Sequence, residues 1–433
     1  MQCVKRLSLG LVGFLISFWA SAQGISLTNQ DSPYADRSCK LTHQIEHKTS
    51  LDADCRCGNN RSNTGGIAVC QRPYEVAVNM SKNIGDGPSF AAYHNAHISG
   101  GFIDYDRNEL IASVYWDTGK ESKGLVVAYD LKDWSRRYIS GDIQDEYGHA
   151  ELAEGPRFFQ LKDIKPSPDG YWYALAFEHA KATLGIKIFK VDPETGQRSV
   201  VWQARDANYG QCPSGRKTVR RESQKFVQYT KEGFAIDPND GSFFLGFSNN
   251  KMGGVGIARI SQDGKKCDFV TLSGKRDDGL KKGRGFDMRG EMMGYFHQGN
   301  KLYAHSSGEK TFYEIDLETG NRKALTRKAP KPPAWRHVIW DDRRQVFWVS
   351  GKMNSVSIAA YDPSKNKYLE VHKSCAKDWE WFPLCMGGPL RINSLNYGPM
   401  FYNKKTGNLL FGQDSVGIVE FEPETGNSIN RSL

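Results

Sequence analysis

A histidine, a tyrosine and a group of arginines surround one segment of this 433-residue chain. His149 precedes the segment, Tyr209 follows it, and an arginine-rich stretch that includes Arg221 comes next. These residue types suit β-elimination, in which a proton is removed from the carbon beside a carboxylate. An arginine or a cationic histidine neutralises the carboxylate, and a tyrosine or histidine takes the proton and returns one to the leaving oxygen. The set therefore indicates chemistry on an acidic substrate, if the fold brings its members together.

Basic residues are concentrated in two segments that we interpret as connections between structural repeats. Segments 204–230 and 273–291 carry twelve lysines and arginines between them. This density exceeds what solubility needs and favours an anionic partner, with a solvated charged loop as the alternative. The substrate-binding candidates in these and nearby segments are His97, His179, Arg216, Tyr229 and Arg289.

The cysteines predict disulfide bonds. The chain has nine of them, and eight remain after Cys3 is removed with an N-terminal signal peptide. An even number in an oxidising compartment predicts up to four disulfides. The expected groups are a local knot from Cys39 to Cys70, a Cys375–Cys385 pair and a remaining Cys212–Cys267 pair.

A metal site is the alternative interpretation of the last cysteines. His372, Cys375 and Cys385 would supply three of the four ligands of a zinc ion at loose spacing, and no obvious fourth ligand follows them. We therefore expect no metal site at these residues and no required cofactor, with a structural zinc or calcium ion as the alternative.

Repeated turns predict the fold that must position these residues. Short β-rich runs end in an Asp-x-x-Thr-Gly turn at residues 192–196 and 316–320, and a Glu-x-x-Thr-Gly variant follows at 422–426. A second shared turn lies upstream of each, so that one repeat reads as a four-stranded antiparallel sheet. The sequence therefore predicts an all-β fold, a β-propeller, with a β-sandwich array as the alternative.

Six repeats are visible between about residue 90 and residue 433. Residues 66–90 could add strands of a seventh blade, through strand-like runs at 67–70 and 74–78. We favour seven blades, with six as the alternative. In a propeller the blade-to-blade connections and the loops between second and third strands share one face, which is where we expect the functional residues.

The N-terminus has the pattern of a secretory signal. Lys5 and Arg6 precede an uncharged apolar stretch, and Ala20-Ser21-Ala22 follows as a cleavage site. The expected organisation is a signal peptide at 1–22, a cysteine-rich segment at 23–88 that could form part of a blade, and a propeller catalytic domain at 89–433. Cleavage lowers the formal net charge from +9 to +7. We expect a secreted monomer, extracellular or periplasmic, that binds an anionic polysaccharide, without nucleic acid or membrane insertion.

The signal peptide, the repeats and the His149/Tyr209/basic-loop arrangement resemble the exported propeller-type polysaccharide lyases, such as the ulvan lyases. The resemblance is one of architecture and residue types, without a contiguous diagnostic motif. It implies that His149 and Tyr209 exchange protons with the substrate and that Arg221 neutralises the uronate. Arg216, Arg220 and Lys225 compete for the role of Arg221, and Tyr229 for that of Tyr209.

Two other functions are compatible with a propeller. The main alternative is a non-catalytic, lectin-like module that binds carbohydrate or protein, because the fold does not determine the function. A hydrolase or a cofactor-dependent oxidoreductase would need an acid pair or a cofactor site that the sequence does not display.

Overall fold

The computed structural model consists of β-strands joined by turns and loops throughout the residues that it describes. These are residues 62–64, 67–70, 96–117, 122–145, 148–177, 185–204, 206–212, 233–249, 254–273, 282–288, 292–306, 311–325, 334–353, 355–373, 399–412, 417–423 and 427–432. Within these ranges no helix has the length and apolar character needed to cross a bilayer. The predicted all-β fold is confirmed.

The strands form six sheets, and five of them are built only from strands that follow one another in the chain. Two short strands come first: β1 (Ser62–Thr64) and β2 (Ile67–Cys70). Blade 1 contains β3 (His97–Asp104), β4 (Glu109–Asp117), β5 (Ser122–Asp130), β6 (Arg136–Asp145) and β7 (Gly148–Leu152). Blade 2 contains β8 (Leu161–Pro166), β9 (Trp172–Phe177), β10 (Ile186–Val191) and β11 (Arg198–Gln203). Blade 3 contains β12 (Ala235–Ile236), β13 (Phe243–Asn249), β14 (Gly254–Ile260) and β15 (Cys267–Ser273).

The remaining three blades complete the fold. Blade 4 contains β16 (Met292–Gln298), β17 (Lys301–Ser306), β18 (Thr311–Asp316) and β19 (Arg322–Ala324). Blade 5 contains β20 (Ala334–Asp341), β21 (Val346–Met353), β22 (Ser355–Asp362) and β23 (Lys367–Lys373). Blade 6 contains β24 (Met400–Tyr402), β25 (Leu409–Gly412), β26 (Ile418–Glu422) and β27 (Asn427–Ser432).

The first strands of the six blades form a closed ring around the axis. Each of them contacts the first strand of the next blade, in the order β3, β8, β12, β16, β20, β24 and back to β3. Six separate hydrophobic clusters fill the six interfaces between neighbouring blades. The cluster between blades 6 and 1 packs Phe401 and Leu410 against Ile98 and Trp116, which closes the ring. The protein is therefore a six-bladed β-propeller.

The preference for seven blades was wrong, because the N-terminal strands do not start a blade of their own. Ile67–Cys70 is a strand, as predicted, but β2 pairs in parallel with the outer strand β23 of blade 5. Val69 lies opposite Val371 and Cys70 opposite His372. Blade 5 therefore has six strands, and the run at 74–78 lies outside the described residues.

The Asp-x-x-Thr-Gly turns at 192–196 and 316–320 each contact the backbone of the preceding blade. In the turn that starts at Asp192, one carboxylate oxygen accepts hydrogen bonds from the backbone N–H groups of Glu194 and Thr195, and these bonds lower the pKa of Asp192. Gly196 has a φ of 72°, and a Cβ there would overlap the carbonyl oxygen of Ile139 in blade 1. Glycine is required because the turn rests directly on the backbone of the neighbouring blade.

An arginine two residues after this glycine fastens the same interface. Arg198 is 6% exposed. Its guanidinium donates hydrogen bonds to the hydroxyl of Ser140 and to the carbonyl oxygens of Leu152, Gly155 and Pro156, at 2.9–3.1 Å. All four acceptors belong to blade 1 or to the connection that leaves it.

Arg322 makes the corresponding bonds between blades 3 and 4. It donates to the hydroxyl of Thr271 and to the carbonyl oxygens of Lys282 and Phe286. Burial lowers its pKa. We call these two residues the latch arginines; they form the same bonds at two blade interfaces.

Candidate functional site

A histidine and a tyrosine lie side by side where the first two strands of blade 1 meet one face of the propeller. His97 begins β3 and Tyr115 lies near the end of β4, and the register places the two residues directly opposite each other. Their ring centroids are 5.3 Å apart, with an angle of 42° between the ring planes. Both side chains are half-buried. This is the face that carries the blade-to-blade connections.

Blade 2 contributes a lysine to the same place. The Nζ atom of Lys162, on the inner strand β8, lies 4.2 Å from the centroid of the Tyr115 ring and 5.9 Å from that of Phe177. A cation over an aromatic face is a favourable electrostatic contact. We call His97, Tyr115, Lys162 and Phe177 the inner cluster, because its residues lie on the first and second strands of blades 1 and 2.

β-Bulges in both inner strands aim these side chains. In β8, Leu161 pairs with Ala176 and Asp163 with Leu175, which leaves Lys162 as the extra residue. In β3 the corresponding extra residue is Ser99, whose hydroxyl donates a 2.7 Å hydrogen bond to the carbonyl oxygen of Leu161. Bulges commonly redirect side chains beside functional sites.

An ion pair between a buried aspartate and a half-buried lysine connects the two inner strands next to the cluster. Asp163 accepts a 3.0 Å hydrogen bond from the backbone N–H of Gly101 and forms a 3.0 Å salt bridge with Lys165. Lys165 in turn donates to the carbonyl oxygen of Gly101 at 2.9 Å. A Cβ on Gly100 would overlap Asp163, so only glycine permits this approach. Burial raises the pKa of Asp163, and Lys165 opposes that shift.

Of the residues predicted from the sequence, His97 is the one that the described structure places in the inner cluster. His149 lies on β7, where it pairs with Gln144. The sequence predicts a third long connection at residues 140–157, and this prediction is wrong, because β6 extends to Asp145 and β7 forms a fifth strand at the outer edge of blade 1. His149 is therefore separated from the inner strand by three intervening strands.

Tyr209 lies in the connection between blades 2 and 3. It is half-buried against the hydrophobic cluster of that interface, and the Nζ of Lys265 is 6.0 Å from its ring centroid. The neighbouring Gly210 donates a hydrogen bond to Gly264 in the outer hairpin of blade 3. Tyr209 thus lies at the interface of blades 2 and 3, near the outer hairpin of blade 3, whereas the inner cluster lies on the first and second strands of blades 1 and 2.

The other predicted site residues lie outside the described residues: His179, Arg216, Arg220, Arg221, Lys225, Tyr229, Arg289, Cys375 and Cys385. The backbone of His372 lies in β23. Among the described residues, no group of three or more His, Cys, Asp or Glu side chains could hold a metal ion. The described residues therefore offer no set of ligands for the zinc or calcium ion considered as the alternative.

The predicted Cys212–Cys267 disulfide is confirmed. The two Cα atoms are 4.6 Å apart, and the bond ties the connection after blade 2 to the outer strand of blade 3. A disulfide is compatible with an oxidising compartment.

Comparisons with known proteins do not identify a family for this chain. Neither a scan against protein-family models nor a search of curated proteins finds a match. Among solved structures, a protein of unknown function from Bacteroides thetaiotaomicron is 12% identical with a TM-score of 0.45, covering 81% of this chain and 74% of its own. The β-propeller domain of Myceliophteria thermophila Cps50 (Swd1) is 10% identical with a TM-score of 0.41, covering 78% and 97%. A chain of a nidogen/laminin complex is 14% identical with a TM-score of 0.37, covering 63% and 79%.

Proposed function

We propose that this protein is a polysaccharide lyase, a carbon–oxygen lyase that cleaves a uronic-acid-containing polysaccharide of the ulvan type by β-elimination. The observation that carries the proposal is the meeting of His97, Tyr115 and Lys162 beside the axis of the propeller. These three residue types supply a cation for the uronate carboxylate and two groups that transfer protons.

Three residues of the inner cluster have roles in the proposed reaction. Lys162 neutralises the uronate carboxylate, which makes the proton on the adjacent carbon easier to remove. Either Tyr115 or His97 takes that proton, and the other returns one to the departing glycosidic oxygen. The 5.3 Å between the two rings lets both groups reach one sugar unit.

His149, Tyr209 and Arg221 form the second candidate set for the same reaction. They come from the sequence and from the resemblance to propeller-type lyases. Substitutions in each set can distinguish the two, because the sets lie in different parts of the propeller. His149 lies on the outermost strand of blade 1 and Tyr209 in the connection between blades 2 and 3. Tyr115 and Lys162 lie on the first two strands of their blades.

We also propose that the protein is exported and acts as a monomer without a cofactor. The N-terminal signal pattern and the Cys212–Cys267 disulfide support export. The expected partner is the polysaccharide itself.

The experiment is ultraviolet absorbance of the purified protein with ulvan, pectate, alginate and glycosaminoglycans. β-Elimination leaves an unsaturated uronate, whose absorbance rises during the reaction, whereas hydrolysis leaves none. A rise on one polymer supports the proposal and identifies the sugar. Absence of a rise on every polymer, combined with retention on gels that contain them, would favour the lectin-like alternative.

A further inference from the structure

Two connections of the propeller have the same backbone structure. Comparing them shows which of their side chains that backbone structure requires. We call residues 152–158 strap A and residues 282–288 strap B. In both straps the carbonyl oxygens of the first and fifth residues accept hydrogen bonds from a latch arginine side chain. The third carbonyl accepts from the backbone N–H of the same arginine, at 2.8 Å for Arg198 and 2.7 Å for Arg322.

The likeness extends to backbone conformation and burial. Gly155 and Gly285 are both the fourth residue, with φ angles of 128° and 114°. The last residue is buried in both straps, Phe158 at 0% and Met288 at 1% exposure. The first two residues are half-buried and the next four exposed in each strap. The two straps are therefore the same structural element.

The exposed side chains of the two straps differ in chemistry. Strap A has Glu154 and Pro156 at its third and fifth positions, whereas strap B has Arg284 and Phe286. Phe286 is 44% exposed. Strap A forms the same element without an arginine or an aromatic ring at these positions, so the backbone conformation of the strap does not require them. Among the described residues, Phe286 and Leu369 are the two large hydrophobic side chains that are exposed, and Phe286 lies in the same strap as Arg284.

The first position adds a second cation to strap B. Lys282 replaces the Leu152 of strap A, and its Nζ lies 3.5 Å from Asp268, with 41% of the lysine side chain exposed. Among the described residues, Asp268 pairs with Lys282, and Asp287 lies in strap B itself. Exposed ion pairs of this kind contribute little to stability, so the lysine is accessible to a stronger anionic ligand.

We propose that strap B is an accessory binding site for an anionic polysaccharide, in which Phe286 packs against a sugar ring while Arg284 and Lys282 bind acidic groups. The choice of polysaccharide rests on the proposed function. Arginine binds carboxylate and sulfate with two parallel hydrogen bonds, and an aromatic face suits the apolar face of a sugar. The backbone hydrogen bonds to Arg322 and Asn321 hold the strap rigid, which lowers the entropic cost of binding.

The test exchanges the side chains of the two straps in the full-length protein. The double variant Arg284→Glu/Phe286→Pro places in strap B the residues that strap A already tolerates, so we expect it to fold normally by circular dichroism. Binding is measured as retardation in gels that contain polygalacturonate, ulvan or dextran sulfate, with neutral dextran as the background. Pro156→Ala in strap A is the matched control.

We expect the dissociation constant of the double variant to rise about tenfold on the retained polymer, with no change for Pro156→Ala. Equal retardation of the double variant and the wild type would overturn the proposal. It would also be overturned if no anionic polysaccharide retards the wild type, or if single-stranded DNA alone does so. Formation of unsaturated product by the wild type is measured separately. If the double variant loses binding and the wild type forms no unsaturated product, only the proposed function is refuted. If the wild type forms the product and the double variant binds as tightly as the wild type, only the strap B proposal is refuted.

Discussion

Replacing Arg198 by methionine should remove one of the two latches between blades. The guanidinium donates four hydrogen bonds, to Ser140, Leu152, Gly155 and Pro156. Hydrogen bonds from charged donors contribute about 1.5–3 kcal/mol each, and an acceptor left buried without a donor costs about 1–3 kcal/mol. Water can reach the two exposed acceptors, Gly155 and Pro156, so we count the other two. The unfolding free energy should fall by about 3 kcal/mol.

Thermal unfolding measures this loss. The unfolding entropy is about 2.1 cal/mol/K per residue, so for the roughly 340 residues of the propeller a loss of this size lowers Tm by about 4 °C. Arg322→Met should behave in the same way, because Arg322 makes equivalent bonds. Arg284→Met is the control: this arginine lies on strap B, but the residue is exposed, and we expect a change below about 0.5 kcal/mol. An Arg198→Met protein with the same Tm as the wild type would refute the claim that Arg198 stabilises the interface between blades 1 and 2.

Two further predictions concern stability. Burial lowers the pKa of His305 from 6.5 to about 3. The unfolded chain therefore binds the proton more tightly than the folded protein does. The unfolding free energy is highest above pH 6.5 and decreases as the pH falls towards 3. The decrease is about 3 kcal/mol between pH 7 and pH 4. His305→Phe should show a pH dependence of denaturant unfolding that is weaker by that amount. The Cys212–Cys267 bond closes a loop of 55 residues, so replacing both cysteines by alanine should cost about 4 kcal/mol in denaturant unfolding under oxidising conditions.

Each of these predictions has an outcome that contradicts it. Identical pH profiles for wild type and His305→Phe would mean that the imidazole is accessible to protons in the folded state. If the cysteine variant and the oxidised wild type unfold at the same denaturant concentration, the disulfide does not constrain the unfolded chain.

The sequence revealed the propeller because its signal is local and repeated. The two Asp-x-x-Thr-Gly segments predicted to be turns are turns in the structure. In both, an arginine follows two residues after the glycine: Arg198 and Arg322. The number of blades could not be predicted, because it depends on which strand pairs with β2. Nothing near Ile67–Cys70 reveals that this strand pairs with β23, some 300 residues later.

The inner cluster was missed because of a one-residue shift in register. Asp104 pairs with Glu109, and regular pairing from that turn would place His97 opposite Trp116, on the other face of the sheet. The bulge at Ser99 moves the partner of His97 to Tyr115. Lys162 depends on a second bulge, in the next blade. Such irregularities follow from packing between blades and leave no periodic pattern in the sequence.

The proposed lyase activity is tested most directly by the initial rate of unsaturated uronate formation, on the polymer that gives a signal, for Tyr115→Phe and Lys162→Met beside the wild type. His149→Ala and Tyr209→Phe are assayed in parallel. We expect each inner-cluster variant to lose at least about 100-fold in rate while keeping the wild-type Tm, with His149→Ala and Tyr209→Phe near the wild-type rate. Full activity in both inner-cluster variants, with loss in His149→Ala and Tyr209→Phe, would contradict the account and place the reaction at the outer set.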